Sequence, residues 1–446
     1  MEKLVYPGKC IAHDEEGRTL FVDGALPGET VEIGAWRKHK GITEARVDSI
    51  VDAAPERIAP RCPSFGVCGG CSFQHASYDD QLKLKLGYTQ EILTPLGITL
   101  EGIVPSPEAW NYRNKMELSF GGSGDSLVLG LHKKGRFDEY VQVPPCFIAD
   151  EDFLPIIERI TDFARASNLP SFDATNKQGF WRHVVLRKGK RTGQIMAVLV
   201  TATPMREDGG TFWIPLLAAL PQLHSVYWVV NNSASDAVIP ESVRHLRGEK
   251  EIEEHLTVGG REFRFAISPF SFFQTNTLGA EKLYETVREY AALDREERLL
   301  DLFCGTGSIG ICLAPDVKVV HGVEIVSEAI DQARSNARLN TVRNVTFEAI
   351  AAEKWIRSSA QTQGSIPYDT IIIDPPRGGL HPKVAQYLPT SGAKKIIYVS
   401  CNPTTLARDL KTILADRKYA IEKAIAVDMF PQTYHVEVVV KLIRLA

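Results

Sequence analysis

The sequence lacks the features that mark membrane, secreted and low-complexity proteins. No apolar run approaches the roughly 18 residues that a membrane helix requires, and the amino terminus, MEKL, does not have the profile of a signal peptide. Internal repeats and low-complexity tracts are also absent from the sequence. With 44% apolar and 24% charged residues, the composition is that of a globular protein. These absences predict a cytoplasmic protein without a membrane segment.

Net charge and cysteine content are both modest. The formal net charge of −4 argues against a uniformly basic coat for nucleic acid, although it permits local basic patches. The chain has 8 cysteines, and in a reducing cytoplasm such cysteines serve metal binding or catalysis more often than disulfides. A length of 446 residues gives room for about three domains. Nothing in the sequence indicates an obligate protein partner.

The first 55 or so residues alternate short β patterns with tight turns. Residues 19–22 and 30–33 are typical strand segments, each bounded by a turn that contains glycine. Such a series of strands predicts a small barrel. Residues 36–41, WRKHKG, place basic side chains beside an aromatic ring and suit RNA contact, with a solvated loop as the alternative.

A cysteine cluster follows the predicted barrel. Cys62, Cys68 and Cys71 have the spacing C-x5-C-x2-C, and Cys146 is a distant candidate for a fourth ligand. Closely spaced thiols with glycines between them favour a soft metal or an iron-sulfur cluster. Zinc is an alternative, although structural zinc sites favour paired short spacings. Buried or redox-active thiols are a further alternative.

The middle of the chain, residues 96–266, mixes strand and helix patterns and contains two basic stretches. Residues 112–115 and 181–191 are both rich in Lys or Arg, and the second has no acidic residue. Because the chain as a whole is slightly acidic, we expect this clustering to mark RNA contact, with Trp181 available for base stacking. A charged hairpin tip is the alternative.

From about residue 267 the pattern alternates strands with helices, for example a helix over 327–340. This alternation predicts a doubly wound parallel sheet. Residues 420–428 and 436–443 have no helix between them and are expected to form an antiparallel hairpin at the edge of that sheet. The predicted parallel strands are residues 299–303, 317–324, 344–350, 370–374 and 395–400.

A glycine-rich turn, DLFCGTGSIG over 301–310, matches G-x-G-x-x-G after a strand. Glu324 ends the next strand, where it could accept hydrogen bonds from ribose hydroxyls. A nicotinamide dinucleotide would also fit, but a dehydrogenase leaves the cysteines without a role. S-Adenosylmethionine fits better, with Phe303 near the adenosine and Asp374 between cofactor and substrate. A carboxylate that caps its own turn is the alternative for Asp374.

Two residues form a candidate catalytic pair. Cys401 follows the apolar strand 396–399 and precedes an Asn-Pro turn, which suits either a nucleophile or a small buried apolar residue. A free thiol has a pKa near 8.5, so a nucleophilic role requires activation. Glu437 is a lone acid in an apolar strand and could be a solvated edge residue. Paired with Cys401, it supplies the missing base.

The motifs CPSFGVCGGC, SPFSFFQTN, DLFCGTGSIG, DPPRGGL, VSCNP and FPQTYHVE occur in this order along nearly the whole chain. In combination they resemble the RNA uracil-5-methyltransferase family, and most closely its iron-sulfur branch, which modifies 23S rRNA. The resemblance implies an α/β fold: a class I methyltransferase doubly wound sheet over 267–446, an N-terminal OB-like TRAM β-barrel over 1–55, and a central α+β iron-sulfur domain over 56–266.

The resemblance also implies the functional residues. It makes Cys401 the nucleophile and Glu437 the base, in an enzyme that transfers a methyl group from S-adenosylmethionine to C5 of uridine. It further implies a [4Fe-4S] cluster. Ser308 departs from the family pattern, in which Asn is frequent. The implied cofactor-site residues are Gln274, Phe303, Glu324 and Asp374, and the implied cluster ligands are Cys62, Cys68, Cys71 and Cys146.

The sequence is therefore compatible with three functions. The leading one is an RNA methyltransferase that forms 5-methyluridine, with 23S rRNA as the expected partner and the T-loop of tRNA as the alternative substrate. An iron-sulfur redox enzyme or dehydrogenase is the second, and a non-catalytic RNA-binding protein is the third. The apparent Cys401 and Glu437 pair disfavours the third, because a binding module needs neither a nucleophile nor a base.

Overall fold

The structure is a computed structural model. It describes residues 1–446 except 15, 40–41, 137, 143–144, 204–209, 235–237, 239, 364–367 and 446, and it describes only the backbone of 35–37, 39 and 360–363.

The N-terminal part is a five-stranded sheet in the order β1-β2-β3-β5-β4. Strands β3 and β5 pair in parallel, and the other neighbours are antiparallel. Alternate residues such as Leu20 and Val22 are buried, which explains the strand pattern of the sequence. The strands are β1 (Lys3–Val5), β2 (Lys9–His13), β3 (Thr19–Asp23), β4 (Thr30–His39) and β5 (Ile42–Asp52).

The strands expected at 19–22 and 30–33 are confirmed by β3 and β4. The basic segment 36–41 is not a loop between strands, because its first part continues β4 to His39. Its last two residues, 40–41, lie outside the described residues, so the RNA contact expected there stays a prediction.

Helix α1 (Tyr78–Leu93) and strand β6 (Leu100–Val104) follow the loop that contains Cys62, Cys68 and Cys71. The helix begins after Ser77, whose hydroxyl accepts a hydrogen bond from the backbone N–H of Asp80. Asp79 and Asp80 in the first turn favour this start, because carboxylates interact well with the positive end of the helix dipole.

A seven-stranded mixed sheet forms the middle of the molecule, in the order β13-β12-β11-β10-β7-β8-β9. Two helices, α2 (Phe153–Ala166) and α3 (Ile214–Ala219), share an apolar core with it. The strands are β7 (Lys115–Gly121), β8 (Val128–His132), β9 (Tyr140–Gln142), β10 (Trp181–Lys188), β11 (Ile195–Thr201), β12 (Ser225–Val230) and β13 (Ser242–Gly248).

The RNA contact expected for 181–191 is wrong for its central residues, because β10 lies inside this sheet. Trp181 is 1% exposed and its ring packs 5.0 Å from that of Phe120. Arg187 is 3% exposed and donates hydrogen bonds to the carbonyl oxygens of Ser268 and Ser271, both at 2.7 Å. The guanidinium of Arg187 therefore binds backbone carbonyl groups in the interior and does not form part of an RNA-binding surface.

The other basic stretch, 112–115, alternates buried and half-buried residues. The hydroxyl of Tyr112 donates to the carbonyl of Pro431 at 2.9 Å, and the amide of Asn114 donates to Thr277 Oγ1 at 2.9 Å. Both Tyr112 and Asn114 are buried, whereas Arg113 and Lys115 are half-buried, so RNA contact by these two basic residues stays a prediction.

The C-terminal half begins with the hairpin β14 (Ile252–Val258) and β15 (Arg261–Ile267) and then builds an eight-stranded sheet. Its helices are α4 (Thr277–Ala291), α5 (Ser308–Leu313), α6 (Ser327–Leu339), α7 (Ala352–Gln363), α8 (Pro382–Tyr387) and α9 (Pro403–Ile413). Its further strands are β16 (Arg298–Leu302), β17 (Val319–Glu324), β18 (Val345–Ala349), β19 (Thr370–Ile373), β20 (Lys395–Ser400), β21 (Tyr419–Val427) and β22 (Glu437–Arg444).

The order of this sheet is β18-β17-β16-β19-β20-β22-β21-β6, and its first five strands are parallel. The five predicted parallel strands and the predicted helix over 327–340 are confirmed. Successive strands run outward from β16 in one direction and from β19 in the other. In such doubly wound sheets, ligands bind where the strand order reverses, beyond the carboxyl ends of β16 and β19.

The hairpin β21–β22 is antiparallel as predicted, but its expected place at the sheet edge is wrong. Strand β6 pairs in parallel with β21 and covers it. Although β6 falls within the range assigned to the central domain from the sequence, 56–266, it belongs to the C-terminal sheet. No helix in the part of the chain that the structure describes is long and apolar enough to cross a membrane.

Candidate functional site

Cys401 lies at the carboxyl end of β20, half-buried, in a turn that is closed by its neighbour Asn402. The Asn402 side chain caps α9 by accepting a hydrogen bond from the N–H of Thr404 at 3.1 Å. Its Nδ2 donates to the carbonyl of Arg377 at 3.2 Å. One residue therefore fixes the cysteine turn and ties it to the turn after β19.

Glu437 begins β22, the strand that pairs with β20 in antiparallel fashion. The register joins Ser400 to Val438. The next residue outward on each strand is Cys401 on one and Glu437 on the other, so the pair lies together at one end of the sheet. Glu437 is only 6% exposed, and the expectation that it is a solvated edge residue is therefore wrong.

Asp374 follows β19, the neighbour of β20 on its other side, and it is half-buried. The three side chains of Cys401, Glu437 and Asp374 thus project from the ends of three adjacent strands. Parallel and antiparallel pairing brings together residues that are well separated in sequence, as expected for a cleft at the carboxyl edge of the sheet.

The electrostatics of this cleft are dominated by burial. Burial raises the pKa of Cys401 to about 12; the charges of Glu437 and Asp374 add to the rise, and Arg377 opposes it. Burial likewise raises the pKa of Asp374 to about 7. The pKa of Glu437 lies well above its ordinary value because of burial and the nearby Asp374 charge. Close carboxyl groups of this kind mark functional sites.

A glycine-rich turn connects β16 to α5. It lies at the same edge of the sheet as Cys401, beside the turn that follows β19. Gly307 has a φ of +78°, and a Cβ on it would lie 2.9 Å from Cζ of Phe347, so glycine is required there. Gly305 has a φ of +53°, and a Cβ on it would meet no protein atom within 4 Å. Phe303 also has a positive φ, +64°. The turn therefore leaves open space above Gly305, which fits a bound cofactor.

Glu324 ends β17, one strand away from this turn, and is half-buried. One carboxylate oxygen accepts from the N–H of Gly305 at 3.3 Å, and the other accepts from the N–H of Ile325 at 2.8 Å. This places an oriented carboxylate beside the glycine turn, where it is able to accept hydrogen bonds from a hydroxylated ligand. Ser308 is engaged elsewhere, since its Oγ lies 2.8 Å from the hydroxyl of Tyr284.

Gln274 lies in the segment before α4, which the structure brings to the glycine turn. Thr306 Oγ1 donates to the carbonyl of Phe272 at 3.4 Å, and Asn114 Nδ2 donates to the carbonyl of Gln274 at 3.2 Å. Arg187 holds the start of the segment by donating hydrogen bonds to the carbonyls of Ser268 and Ser271. The segment that contains Gln274 therefore lies beside the glycine turn.

A second site is formed by the four cysteines of the central part. They line one cavity of about 360 Å³ together with Phe65, Gln74 and Arg113. Burial raises the pKa of Cys71 to about 12, and the three other thiols add to the rise. The pKa of Cys68 is also raised by burial, with Cys146 and Cys62 contributing. The tertiary structure thus brings Cys146 to the three cysteines of the loop.

Metal-binding chemistry fits this donor set, because thiolates are the ligands of soft metals and iron-sulfur clusters. Among the residues that the structure describes, however, no group of three or more Cys, His, Asp or Glu side chains is arranged to hold a metal ion. The N–H of Gly70 points at Cys68 Sγ with an N···S distance of 3.4 Å.

Two residues near the cleft were not assigned from the sequence. Arg377 lies in the DPPRGGL motif, and its Nη2 is 3.5 Å from Nε2 of His435. Tyr6 comes from the turn after β1 and lies near enough to Cys401 and Glu437 for their charges to raise its pKa, which reaches about 12 mainly through burial. The motif could have indicated Arg377, whereas no local signal points to Tyr6.

Comparison with known sequences identifies close relatives over the whole chain. A family described as tRNA (Uracil-5-)-methyltransferase matches residues 242–445. An uncharacterized RNA methyltransferase of Caldanaerobacter subterraneus is 38% identical over 446 residues, which cover 98% of this chain and 96% of that protein. One from Clostridium tetani is 36% identical over 451 residues, with 100% and 96% coverage.

Comparison with solved structures gives a match of similar extent. The crystal structure of Pyrococcus abyssi tRNA (uracil-54, C5)-methyltransferase in complex with S-adenosyl-L-homocysteine superposes with a TM-score of 0.76 at 30% sequence identity. The match covers 98% of this chain and 100% of the Pyrococcus protein.

Proposed function

Since this chain belongs to the S-adenosylmethionine-dependent RNA uracil-5-methyltransferase family, we propose that it forms 5-methyluridine with Cys401 as nucleophile and Glu437 as base. The observation that carries this proposal is the opposition of Cys401 and Glu437 at the ends of paired strands, beside Asp374. Neither a dehydrogenase nor a non-catalytic binding protein would need this buried pair.

Cys401 would make the substrate reactive. C5 of uracil is a weak nucleophile, but addition of the cysteine sulfur to C6 forms a C–S bond and turns the ring into an enolate, with negative charge at C5. The thiol first loses its proton to solvent water, so that the group that adds to C6 is the thiolate. Because burial raises the pKa of Cys401, the thiol form dominates at neutral pH, and the positive charge of Arg377 favours the thiolate that attacks.

Glu437 would complete the reaction. When bound, S-adenosylmethionine supplies an electrophilic methyl group for C5, and C5 then bears both the methyl group and its original proton. Glu437 removes that proton, the C5=C6 double bond re-forms and the C6–S bond breaks, which releases Cys401. The raised pKa of Glu437 makes its carboxylate a stronger proton acceptor than an exposed one.

The cofactor would be held at the glycine turn. We assign Glu324 to the ribose hydroxyls, Phe303 to the adenosine, and Gln274 and Asp374 to the side that faces the uridine. The oriented carboxylate of Glu324 and the open space above Gly305 support this assignment. The target uridine must leave its base stack to reach Cys401, at a cost of about a few kcal/mol.

The RNA is proposed to be 23S rRNA, because the motif order with four cysteines resembles the branch that modifies it. The T-loop of tRNA is the second candidate, favoured by the match to the Pyrococcus tRNA (uracil-54, C5)-methyltransferase. We further propose roles for the domains predicted from the sequence: residues 1–55 and 56–266 would hold RNA around the cleft of 267–446. Access to these RNAs suits a cytoplasmic enzyme.

The four cysteines, Cys62, Cys68, Cys71 and Cys146, are proposed to hold a [4Fe-4S] cluster. Their shared cavity supports this proposal, because thiolates are the ligands of iron-sulfur clusters. The reaction requires no electrons, so the cluster would be structural. Iron and sulfide analysis of anaerobically purified protein tests this, and stoichiometric zinc without iron would contradict it.

The decisive experiment is transfer of labelled methyl from S-adenosylmethionine to separate pools of unmodified 23S rRNA and tRNA, followed by nucleoside analysis. Label in 5-methyluridine of rRNA, lost in Cys401→Ala, is the expected result. Label in tRNA alone would keep the chemistry and change the substrate. Retained methylation by Cys401→Ala would refute the assigned nucleophile.

A further inference from the structure

The loop 428–436, which leads into Glu437, receives several hydrogen bonds from one distant segment, 72–112, and a further one from Asn276, which donates to the carbonyl of Met429 at 2.9 Å. Backbone carbonyls at four positions of the loop accept hydrogen bonds from this segment. The bonds are Lys85 Nζ to Phe430 O at 3.0 Å, Tyr112 OH to Pro431 O at 2.9 Å, Ser72 N and Phe73 N to Gln432 O at 2.8 and 3.0 Å, and Tyr88 OH to Tyr434 O at 2.5 Å.

Gln432 is the most constrained residue of this loop. Its φ of +69° lies in the left-handed region, which a residue with a side chain adopts only when its surroundings enforce it. The side-chain amide of Gln81, on α1, stabilises this backbone conformation with both its oxygen and its nitrogen. Gln81 Oε1 accepts from the N–H of Gln432 at 2.8 Å, and Gln81 Nε2 donates to Gln432 Oε1 at 2.9 Å.

Both glutamines are 1% exposed, so this reciprocal amide pair does not compete with water. Gln81 Nε2 also donates to the carbonyl of Ala76 at 3.0 Å, which fixes the amide orientation from the helix side. The segment that donates to Gln432 O directly follows Cys71, a residue of the four-cysteine cavity. The loop is therefore anchored both to α1 and to the chain that follows Cys71.

We propose that Gln81 is a positioning residue for proton removal: through Gln432 it holds the loop that places Glu437 against the C5 proton. This inference rests on the proposed function, since it assigns a role in one step of that reaction. Glu437 acts only after the C–S bond and the methyl group are in place. Loosening the loop therefore slows release of Cys401 far more than it slows methyl transfer.

The predicted signature is accumulation of the covalent enzyme–RNA adduct. Gln81→Leu keeps the size of the side chain and removes both hydrogen bonds to Gln432. In single-turnover reactions it is expected to transfer the methyl group at close to the wild-type rate but to release 5-methyluridine RNA roughly tenfold more slowly, as loss of two buried hydrogen bonds would give. The adduct would be seen as a retarded band on denaturing gels.

Gln90→Leu is the matched control. Gln90 lies on the same helix, and its amide likewise bonds backbone groups, donating to Ile98 O and accepting from the N–H of Leu100, both at 2.8 Å. Because it does not contact the loop, its variant is expected to change stability without adduct accumulation. Gln81→Glu keeps an acceptor for the N–H of Gln432 and is expected to restore part of the release rate.

Hydrogen exchange of the peptide that contains 428–437 gives a readout independent of turnover, and faster exchange is expected in Gln81→Leu but not in Gln90→Leu. Equal losses of adduct formation and release in Gln81→Leu, or wild-type behaviour, would overturn the positioning role. If the wild-type protein itself forms neither adduct nor 5-methyluridine, the proposed function fails first and this assignment fails with it.

Discussion

The ring of Tyr6 meets the ring of Tyr434 edge-on, with 5.7 Å between centroids and 82° between planes. Tyr6 belongs to the turn between β1 and β2, whereas Tyr434 belongs to the loop before Glu437. In the same turn, a Cβ on Gly8 would lie 2.8 Å from Cβ of Tyr434, so the approach is close along the backbone as well. The N-terminal sheet is therefore in direct contact with the loop that carries the proposed base.

Tyr6→Ala is expected to lower both the rate of methyl transfer and the free energy of unfolding, the latter by about 1–3 kcal/mol, because it removes a half-buried aromatic contact. Tyr6→Phe keeps the ring and should unfold at the wild-type urea concentration. Urea titrations and methyl-transfer rates measure the two effects. A similar loss of stability in both variants would show that the hydroxyl, and not the ring contact, matters.

The pH dependence of Cys401 reactivity follows from its raised pKa. With a pKa of about 12 in the free enzyme, the thiolate fraction rises with pH throughout the neutral range. Alkylation of Cys401 by iodoacetamide should therefore accelerate about tenfold for each pH unit. Quantitative mass spectrometry of the peptide containing Cys401 measures this rate. A rate independent of pH between neutral and alkaline conditions would contradict the raised pKa.

Arg377 lowers the pKa of Cys401, against the effect of burial. Arg377→Met is expected to raise that pKa further and to slow alkylation at any given neutral pH, whereas Arg377→Lys retains the positive charge and should be affected less. The same peptide analysis compares the three proteins. Faster alkylation in Arg377→Met would mean that access to the thiol, rather than charge, controls its reactivity.

Lys85 and Asp428 form an ion pair, at 2.7 Å, whose side chains have no solvent exposure. Lys85→Met should destabilise the protein by about 3–5 kcal/mol, because the carboxylate would be left buried without its partner, and the double variant with Asp428→Leu should recover much of that loss. Lys83, in an exposed pair with Asp80 on the same helix, is the control. Lys83→Met should have no measurable effect on urea unfolding.

Arg187→Met distinguishes an internal role from RNA contact. The buried guanidinium holds the carbonyls of Ser268 and Ser271, so its loss is expected to cost about 2–4 kcal/mol of stability. RNA affinity should keep its dependence on salt, since loss of one phosphate contact would reduce the salt slope by about 1. A reduced slope with unchanged stability would restore the RNA-contact interpretation of 181–191.

Motifs near strand ends were predicted well from the sequence. Cys401 and the glycine turn can be recognised because the strand end, the turn residue and the helix cap that define each motif lie within a few positions of one another. In the structure, Asn402 caps α9 and Gly307 adopts the positive φ that its turn requires. The basic stretch at 181–191 was misjudged because composition does not reveal that β10 has a neighbour on each side. Arg182 and Arg187 bond carbonyl groups in the interior, whereas Arg191 is exposed and pairs with Glu281.

The sequence by itself determined the succession of strands and helices, the cysteine spacing and the residues of the proposed catalytic pair, because these depend on short-range patterns and on motif order. Only the tertiary structure decided that β6 covers β21, that Cys146 joins the other thiols and that Tyr6 reaches the cleft. Lys85 and Asp428 stand 343 positions apart in the chain, and no local pattern records such a pairing, because it arises only when whole elements pack together.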